Sequence, residues 1–171
     1  MSWLYPVLAL VALQRVGELV YARRNERALR AAGAVEHGAR HYPLFFVVHG
    51  GWLLSLAVFV PADQPVVWGW LIVFLLLQAG RIWVIASLGR FWTTRVLTLP
   101  DAPLVRRGPY QYLRHPNYLI VAGEIAALPL AFSAYTIAIV FSIANAALLW
   151  HRIRVEATAL APRRRQPGGA A

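Results

Sequence analysis

The sequence contains no cysteine and no lysine, and only 7 of its 171 residues are acidic. Without cysteine the chain has no disulfide, no thiol nucleophile and no cysteine-ligated metal. Charged residues make up only 14% of the chain, whereas 59% are hydrophobic and the mean hydropathy is +0.53. About a quarter of the residues are charged in an ordinary soluble domain. Disordered chains contain fewer apolar residues than soluble domains do. The composition therefore excludes both classes and predicts an integral membrane protein.

Four apolar blocks carry this hydrophobicity, at residues 3–22, 44–60, 66–89 and 119–150. The fourth block has 32 residues, which as one helix would be about 48 Å long, well beyond a hydrocarbon core of about 30 Å. We therefore predict that it forms two shorter spans that meet near Pro129 to Ser133. The predicted fold is an all-α integral membrane protein of about five transmembrane helices.

The positive charges are distributed in a way that predicts the orientation of these helices. All 17 are arginine, and 15 lie in three segments: between the first and second spans, between the third and fourth, and after the fifth. The positive-inside rule places these segments in the cytoplasm, with the N-terminus outside and the C-terminus inside. Because the arginines flank membrane spans, the net charge of +10 does not indicate a nucleic-acid partner.

Some charged residues fall inside the apolar blocks, where an unpaired charge costs several kcal/mol. Arg15 and Glu18 are three residues apart on one helix face, so they can pair with each other. Arg81 and Glu124 either link helices or face an entrance for a lipid.

The remaining chain offers little sign of a second domain or of a metal site. We predict one transmembrane domain over 1–161, followed by a disordered tail over 162–171 that is rich in arginine, proline and glycine. His37 and His41 have the i,i+4 spacing of helical metal ligands. They lie among glycines and beside Pro43, however, and we interpret them as loop histidines and predict no metal.

The segment 102–118, between the third and fourth spans, is polar and aromatic. Gly108-Pro109 predicts a turn, and Pro116 disfavours a helical backbone at His115. Tyr110, Tyr112, His115 and Tyr118 should therefore cluster on a short loop at the membrane surface. Two interpretations stay open from the residues alone: a chemical site, or an interfacial belt of tyrosines beside arginines that set the topology.

Beyond the fifth span, Arg152 and Glu156 are i,i+4 neighbours on one helix face. They form either a simple surface ion pair or two separate contacts to a bound molecule, in which Glu156 holds a cation and Arg152 an anion.

These two segments carry a resemblance to a known family. The pattern G-P-Y-x-x-x-R-H-P-N-Y, followed about forty residues later by R-I-x-x-E, resembles the isoprenylcysteine carboxyl methyltransferase family of integral-membrane enzymes. The resemblance is strongest over 88–160, and the N-terminal half is similar to bacterial members, including a branch that O-methylates alkylpyrones. It implies S-adenosylmethionine as cofactor, a lipophilic substrate, and residence in the bacterial inner membrane.

The resemblance also implies which residues form the site. It places the substrate contact and catalytic role on Arg152 and the cofactor's glutamate on Glu156. The rest of the cofactor pocket falls on the cytoplasmic loop and its flanks: Arg95, Ala102, Pro103, Leu104, Val105, Tyr110, His115, Pro116, Asn117 and Tyr118. The chain departs from many members at Ala157, where they carry a second glutamate, and it lacks their aromatic C-terminal segment. The second departure favours a small lipid over a prenylated protein.

The expected activity is therefore O-methylation of an isoprenylcysteine-type carboxylate or of a lipid hydroxyl such as that of an alkylpyrone. A carboxylate is already ionised at neutral pH, so no strong general base is needed. Two other interpretations stay open. One is an NADPH-dependent membrane reductase of the sterol or steroid type, which also contains R-H-P-N-Y-like segments. The other is a non-enzymatic small membrane protein whose buried charges only lock helices.

Overall fold

A computed structural model describes residues 3–100, 102 and 105–164, with the backbone alone for His41 and for 160–164. Within these residues the chain forms five α-helices and one pair of short strands. The helices are α1 (Leu4–Ala31), α2 (Tyr42–Phe59), α3 (Trp68–Leu88), α4 (Pro116–Ala131) and α5 (Tyr135–Arg164); the strands are β1 (Val35–His37) and β2 (Val96–Thr98).

The prediction of about five helices is confirmed, and the fourth apolar block divides where it was expected to. Helix α4 ends at Ala131, and Ser133 adopts the left-handed φ of 54° before α5 begins. Within the described residues, four helices are long and apolar enough to cross a membrane. With 16 residues, α4 is about 24 Å long and is the shortest of the five. The protein is a multi-pass membrane protein.

Helix α5 extends past the residue at which we predicted that the domain ends. Its backbone continues to Arg164, so the predicted end of the domain at 161 falls inside the helix. The rest of the predicted tail, 165–171, lies outside the described residues, as do Pro103 and Leu104 of the predicted cofactor pocket.

The apolar core lies toward the end of the bundle where α1 begins and α2 ends. It includes Leu4, Trp52, Leu56, Phe74 and Leu128, each at most 2% exposed. Many large apolar side chains point outward instead, such as Leu13 and Leu76 on the lipid-facing sides of α1 and α3. Large apolar side chains on the outer surface of the helices are favourable in a bilayer but not in water.

Glycines allow α3 and α4 to approach closely. A Cβ on Gly123 would lie 2.8 Å from a methyl of Leu77, and one on Gly80 would lie 3.4 Å from Ile120. Small residues at helix interfaces are typical of membrane proteins, because lipid provides no hydrophobic force to bring helices together.

Helix α1 joins α3 and α4 through a buried network of charges. Arg15 pairs with Glu18 at 2.9 Å, as predicted, and also with Glu124 at 2.8 Å. Arg81 bonds both carboxylates, so two positive and two negative charges balance at membrane depth. Gln14 and Gln78 complete the network with hydrogen bonds of 2.7 to 2.9 Å. The buried charges therefore link helices.

The opposite end of the bundle carries the polar connections. Strand β1, which follows α1, pairs antiparallel with β2, which follows α3, and Glu36 lies opposite Leu97. Helix α5 contacts both strands. The arginine-rich segments that follow α1 and α3 therefore lie at the same end of the bundle as the arginine-rich part of α5. His37, predicted in a loop, lies in β1 with its Nε2 2.8 Å from the hydroxyl of Thr98.

Candidate active site at the polar end of the bundle

Four predicted site residues from two separate segments meet at this end. The hydroxyl of Tyr118 donates to Oε2 of Glu156 at 2.5 Å and accepts from Nε of Arg152 at 3.0 Å. His115 Nδ1 lies 3.8 Å from the same carboxylate oxygen. The connector between α3 and α4 and the end of α5 thus form one cluster.

Local sequence explains why these side chains converge. Pro116 occupies the first turn of α4, where its missing N–H leaves no hydrogen bond unmade. His115 precedes it with φ −134° and ψ 57°, outside the helical region as predicted. The two rings at the start of the helix, His115 and Tyr118, then stack at 14° with centroids 5.2 Å apart.

Arg152 and Glu156 lie one turn apart on α5, but they meet through Tyr118. Since Arg152 uses Nε and Glu156 uses Oε2 for this bridge, the two Nη atoms of Arg152 and Oε1 of Glu156 take no part in it. A cationic group and an anionic group can therefore bind to the same cluster at different atoms.

Phe45 of α2 completes the surroundings of Arg152. The guanidinium carbon lies 5.2 Å from the centroid of the Phe45 ring and 5.9 Å from that of Tyr118. Such contacts with aromatic faces stabilise a guanidinium. The sequence analysis missed Phe45, because one phenylalanine in an apolar, aromatic block has no feature that distinguishes it.

The G-P-Y turn has a specific steric requirement. Gly108 has φ 59°, and a Cβ there would lie 2.1 Å from the hydroxyl of Ser87. Arg107, beside it, donates from Nε to the Ser87 carbonyl at 2.7 Å. Only glycine fits this close approach, which fixes the connector against the end of α3.

This turn directs Tyr110 into the protein. Tyr110 packs against the buried residues Ala22, Val84 and Trp92. Burial raises the pKa of its hydroxyl above the ordinary value, and the negative charge of Glu156 raises it further. Tyr110 is therefore neutral at physiological pH.

Asn117 offers a test of whether the cluster fits a ligand. Its Oδ1 is buried and has no hydrogen-bond partner among the described residues. An unpaired buried acceptor is costly, and a donor from a bound molecule would satisfy it. S-adenosylmethionine carries amino and hydroxyl donors, so the residues present fit this group.

Arg95 has other partners. Its Nη1 donates to Glu36 at 2.5 Å, its Nε lies 3.7 Å from Glu26, and its guanidinium lies 4.1 Å from the Tyr42 ring centroid. No contact among the described residues joins it to the Tyr118 cluster. Of the neighbouring predicted residues, Ala102 donates its backbone N–H to Leu99 at 3.3 Å, and Val105 is half-buried.

A cleft of about 330 Å³ lies at the opposite end of the bundle, between the link from α2 to α3 and the turn from α4 to α5. It shares no residue with the predicted site. We therefore place the candidate site on the cluster of chemical groups and not on this cleft.

The protein is thus a membrane helix bundle in which polar side chains from the start of α4 and from α5 cluster at one end. Residues 70–162, just over half of the chain, match the model of the isoprenylcysteine carboxyl methyltransferase family. The chain belongs to this family and is a membrane methyltransferase.

Two curated relatives extend the similarity beyond the matched region. The "Uncharacterized protein YpbQ" of Bacillus subtilis (strain 168) is 42% identical over 165 residues, which cover 94% of this chain and 96% of the relative. An "Uncharacterized protein" of Haemophilus influenzae is 28% identical over 143 residues, covering 80% and 83%. No solved structure matches the chain.

Proposed function

We propose that the protein is an S-adenosylmethionine-dependent O-methyltransferase that acts at the membrane interface on a lipophilic acceptor. The acceptor is an isoprenylcysteine-type carboxylate or a related lipid hydroxyl, such as that of an alkylpyrone. The observation that carries the proposal is the Tyr118 bridge, which brings Arg152 and Glu156 against the first turn of α4.

Members of this family use S-adenosylmethionine, and the acidic half of the cluster suits it. Glu156 would accept from the cationic amino group of the donor, and Asn117 Oδ1 would gain the partner that it lacks. His115, Tyr110 and Tyr118 would provide ring surfaces. A cation beside an aromatic face is stabilised by about 0.5–2 kcal/mol. We also propose that Pro103 and Leu104, with Ala102, Val105 and Pro116, complete this pocket, and that Arg95 contributes to donor binding.

Arg152 suits the acceptor. Its Nη atoms can bind a carboxylate or an enolate in a bidentate manner, and the Phe45 ring limits where that anion can lie. The anionic oxygen then stays near the mouth of the bundle while its apolar tail remains in the lipid.

The chemistry needs orientation more than proton transfer. When bound, S-adenosylmethionine supplies a methyl group on a sulfonium, which the acceptor oxygen takes while the carbon–sulfur electron pair stays with sulfur. The residues of the chain hold the two molecules in line and exclude water. Such orientation can lower the barrier by about 7–11 kcal/mol.

We further propose that the arginine-rich end, and with it the site, faces the cytoplasm of a bacterial cell, with the N-terminus outside. A charged donor then enters from the cytoplasm and a lipophilic acceptor from the inner membrane. The positive-inside rule supports this orientation.

The test is binding of S-adenosylhomocysteine to the purified protein by calorimetry, with NADPH as the comparison. Glu156→Gln and His115→Ala should weaken binding by about tenfold or more, because hydrogen bonds to charged groups contribute about 1.5–3 kcal/mol. Asp63→Asn and His151→Ala, an exposed acid at the far end and an exposed histidine of α5, are the matched controls. Unchanged binding in both site variants would remove the site assignment, and binding of NADPH alone would favour a reductase.

The variant Arg152→Ala distinguishes a role in acceptor binding from a role in donor binding. We expect donor affinity within about threefold of wild type and strongly suppressed turnover, measured by mass spectrometry of methylated lipids in membrane extracts. Arg154→Ala, an exposed arginine stacked on Trp150, should retain turnover. Full activity of the Arg152 variant would exclude its substrate role.

A further inference from the structure

Glu36 joins three segments of the chain at the polar end. It lies in β1, and its carboxylate accepts from Arg30 of α1 and, at 2.5 Å, from Nη1 of Arg95 in the link between α3 and β2. Burial would raise the pKa of Glu36, but the hydrogen bonds from the two arginines outweigh this and hold the pKa below its usual range.

Helix α1 also contacts the segment between α3 and β2 at a second point. Thr94 donates to Glu26 at 3.1 Å and lies 2.8 Å from the hydroxyl of Tyr42. Since the single hydroxyl proton of Thr94 goes to the carboxylate, Tyr42 must be the donor of the other bond. Asn25 adds bonds from Nδ2 to the carbonyls of Gly89 and Trp92, at 3.0 and 2.9 Å.

These contacts lie next to the site in the chain but do not belong to it. Strand β2 leads directly into the connector 99–115, which carries the predicted pocket from Ala102 to Tyr110. Glu36 precedes the family-matched region 70–162. Among the described residues, no hydrogen bond or ion pair joins it to the Tyr118 bridge.

We propose that Glu36 is a positioning residue for donor binding. By holding Arg95, its carboxylate fixes the segment 92–95 and strand β2, from which the chain enters the predicted donor pocket. When the segment that leads into a binding site is ordered in advance, less conformational entropy is lost on binding, so affinity rises without any contact to the ligand. This inference rests on the proposed function, and it assigns Arg95 an indirect role in place of a direct donor contact.

The first test compares Glu36→Gln with wild type. We expect S-adenosylhomocysteine affinity to fall by about three- to tenfold, the range that partial loss of pre-ordering gives, with a raised donor KM and a kcat within twofold. Glu36→Asp, which keeps the charge on a shorter side chain, should recover part of the loss. Asp63→Asn removes an exposed acid at the other end of the bundle and should leave affinity unchanged.

A double-mutant cycle distinguishes the indirect from the direct role of Arg95. If Arg95 acts through Glu36, then Glu36→Gln combined with Arg95→Gln should weaken binding no more than the stronger single variant. Additive losses would show that Arg95 binds the donor independently, and would overturn the proposal.

Amide hydrogen exchange tests the proposal without any ligand. In Glu36→Gln, backbone exchange over 92–99 should become faster, while exchange in α3 and α4 stays as in wild type. If wild type binds S-adenosylhomocysteine but Glu36→Gln has the same exchange and the same affinity as wild type, this inference alone is overturned. A wild type that does not bind it would instead overturn the proposed function.

Discussion

Glu124 provides the sharpest test of how this bundle is held together, because its carboxylate contacts both arginines of the buried network. Its side chain is only 2% exposed. Oε1 accepts from Gln78 at 2.7 Å and from Arg81 Nε at 2.8 Å, while Oε2 accepts from Arg15 at 2.8 Å and from Arg81 Nη2. Glu124→Gln keeps the size of the side chain and removes its charge.

The expected loss of stability follows from these contacts. Four hydrogen bonds at about 0.6 kcal/mol each, the average for interhelical bonds in membranes, give about 2.4 kcal/mol. Leaving a buried charge without its partner typically costs about 3–5 kcal/mol. We therefore expect Glu124→Gln to lower the free energy of unfolding by about 3 kcal/mol.

Equilibrium unfolding in mixed micelles measures this loss, with Asp63→Asn as the control expected to change stability by less than about 0.5 kcal/mol. Adding Arg15→Gln to the Glu124 variant restores charge balance and should recover a substantial part of the loss. A loss below about 1 kcal/mol for Glu124→Gln alone would refute the view that charge balance holds α1 against α3 and α4.

Two further predictions concern the connector. Gly108→Ala would place a Cβ 2.1 Å from the Ser87 hydroxyl at a φ of 59°, so we expect a lower melting temperature and weaker S-adenosylhomocysteine binding, whereas Gly17→Ala, with open space around it, should lower neither. Because the folded-state pKa of Glu36 lies below its usual 4.5, its contribution is complete above pH 4.5 and is lost as the pH falls through the lower folded value. Exchange protection over 92–99 should therefore stay constant as the pH falls to about 4.5 and decrease below that pH. In Glu36→Gln this decrease should begin at a lower pH, relative to the plateau of that variant; equal acid profiles would contradict the role of Glu36.

The sequence by itself determined the class of protein and the number of helices. The length of the 119–150 block exceeds one span, so the turn between α4 and α5 follows from bilayer thickness. The R-H-P-N-Y and R-I-x-x-E patterns likewise indicated the family and named His115, Tyr118, Arg152 and Glu156, because spacing along a chain and proline stereochemistry are local properties.

Only the tertiary structure decided which distant groups became partners. It brought Phe45 to Arg152, connected Arg152 to Glu156 through Tyr118, and paired Arg95 with Glu36. It also joined Arg15 and Glu18 to Arg81 and Glu124, where the sequence had left a lipid entrance equally open. An arginine can satisfy its charge with any carboxylate that packing brings within reach, and packing depends on how all five helices fit together.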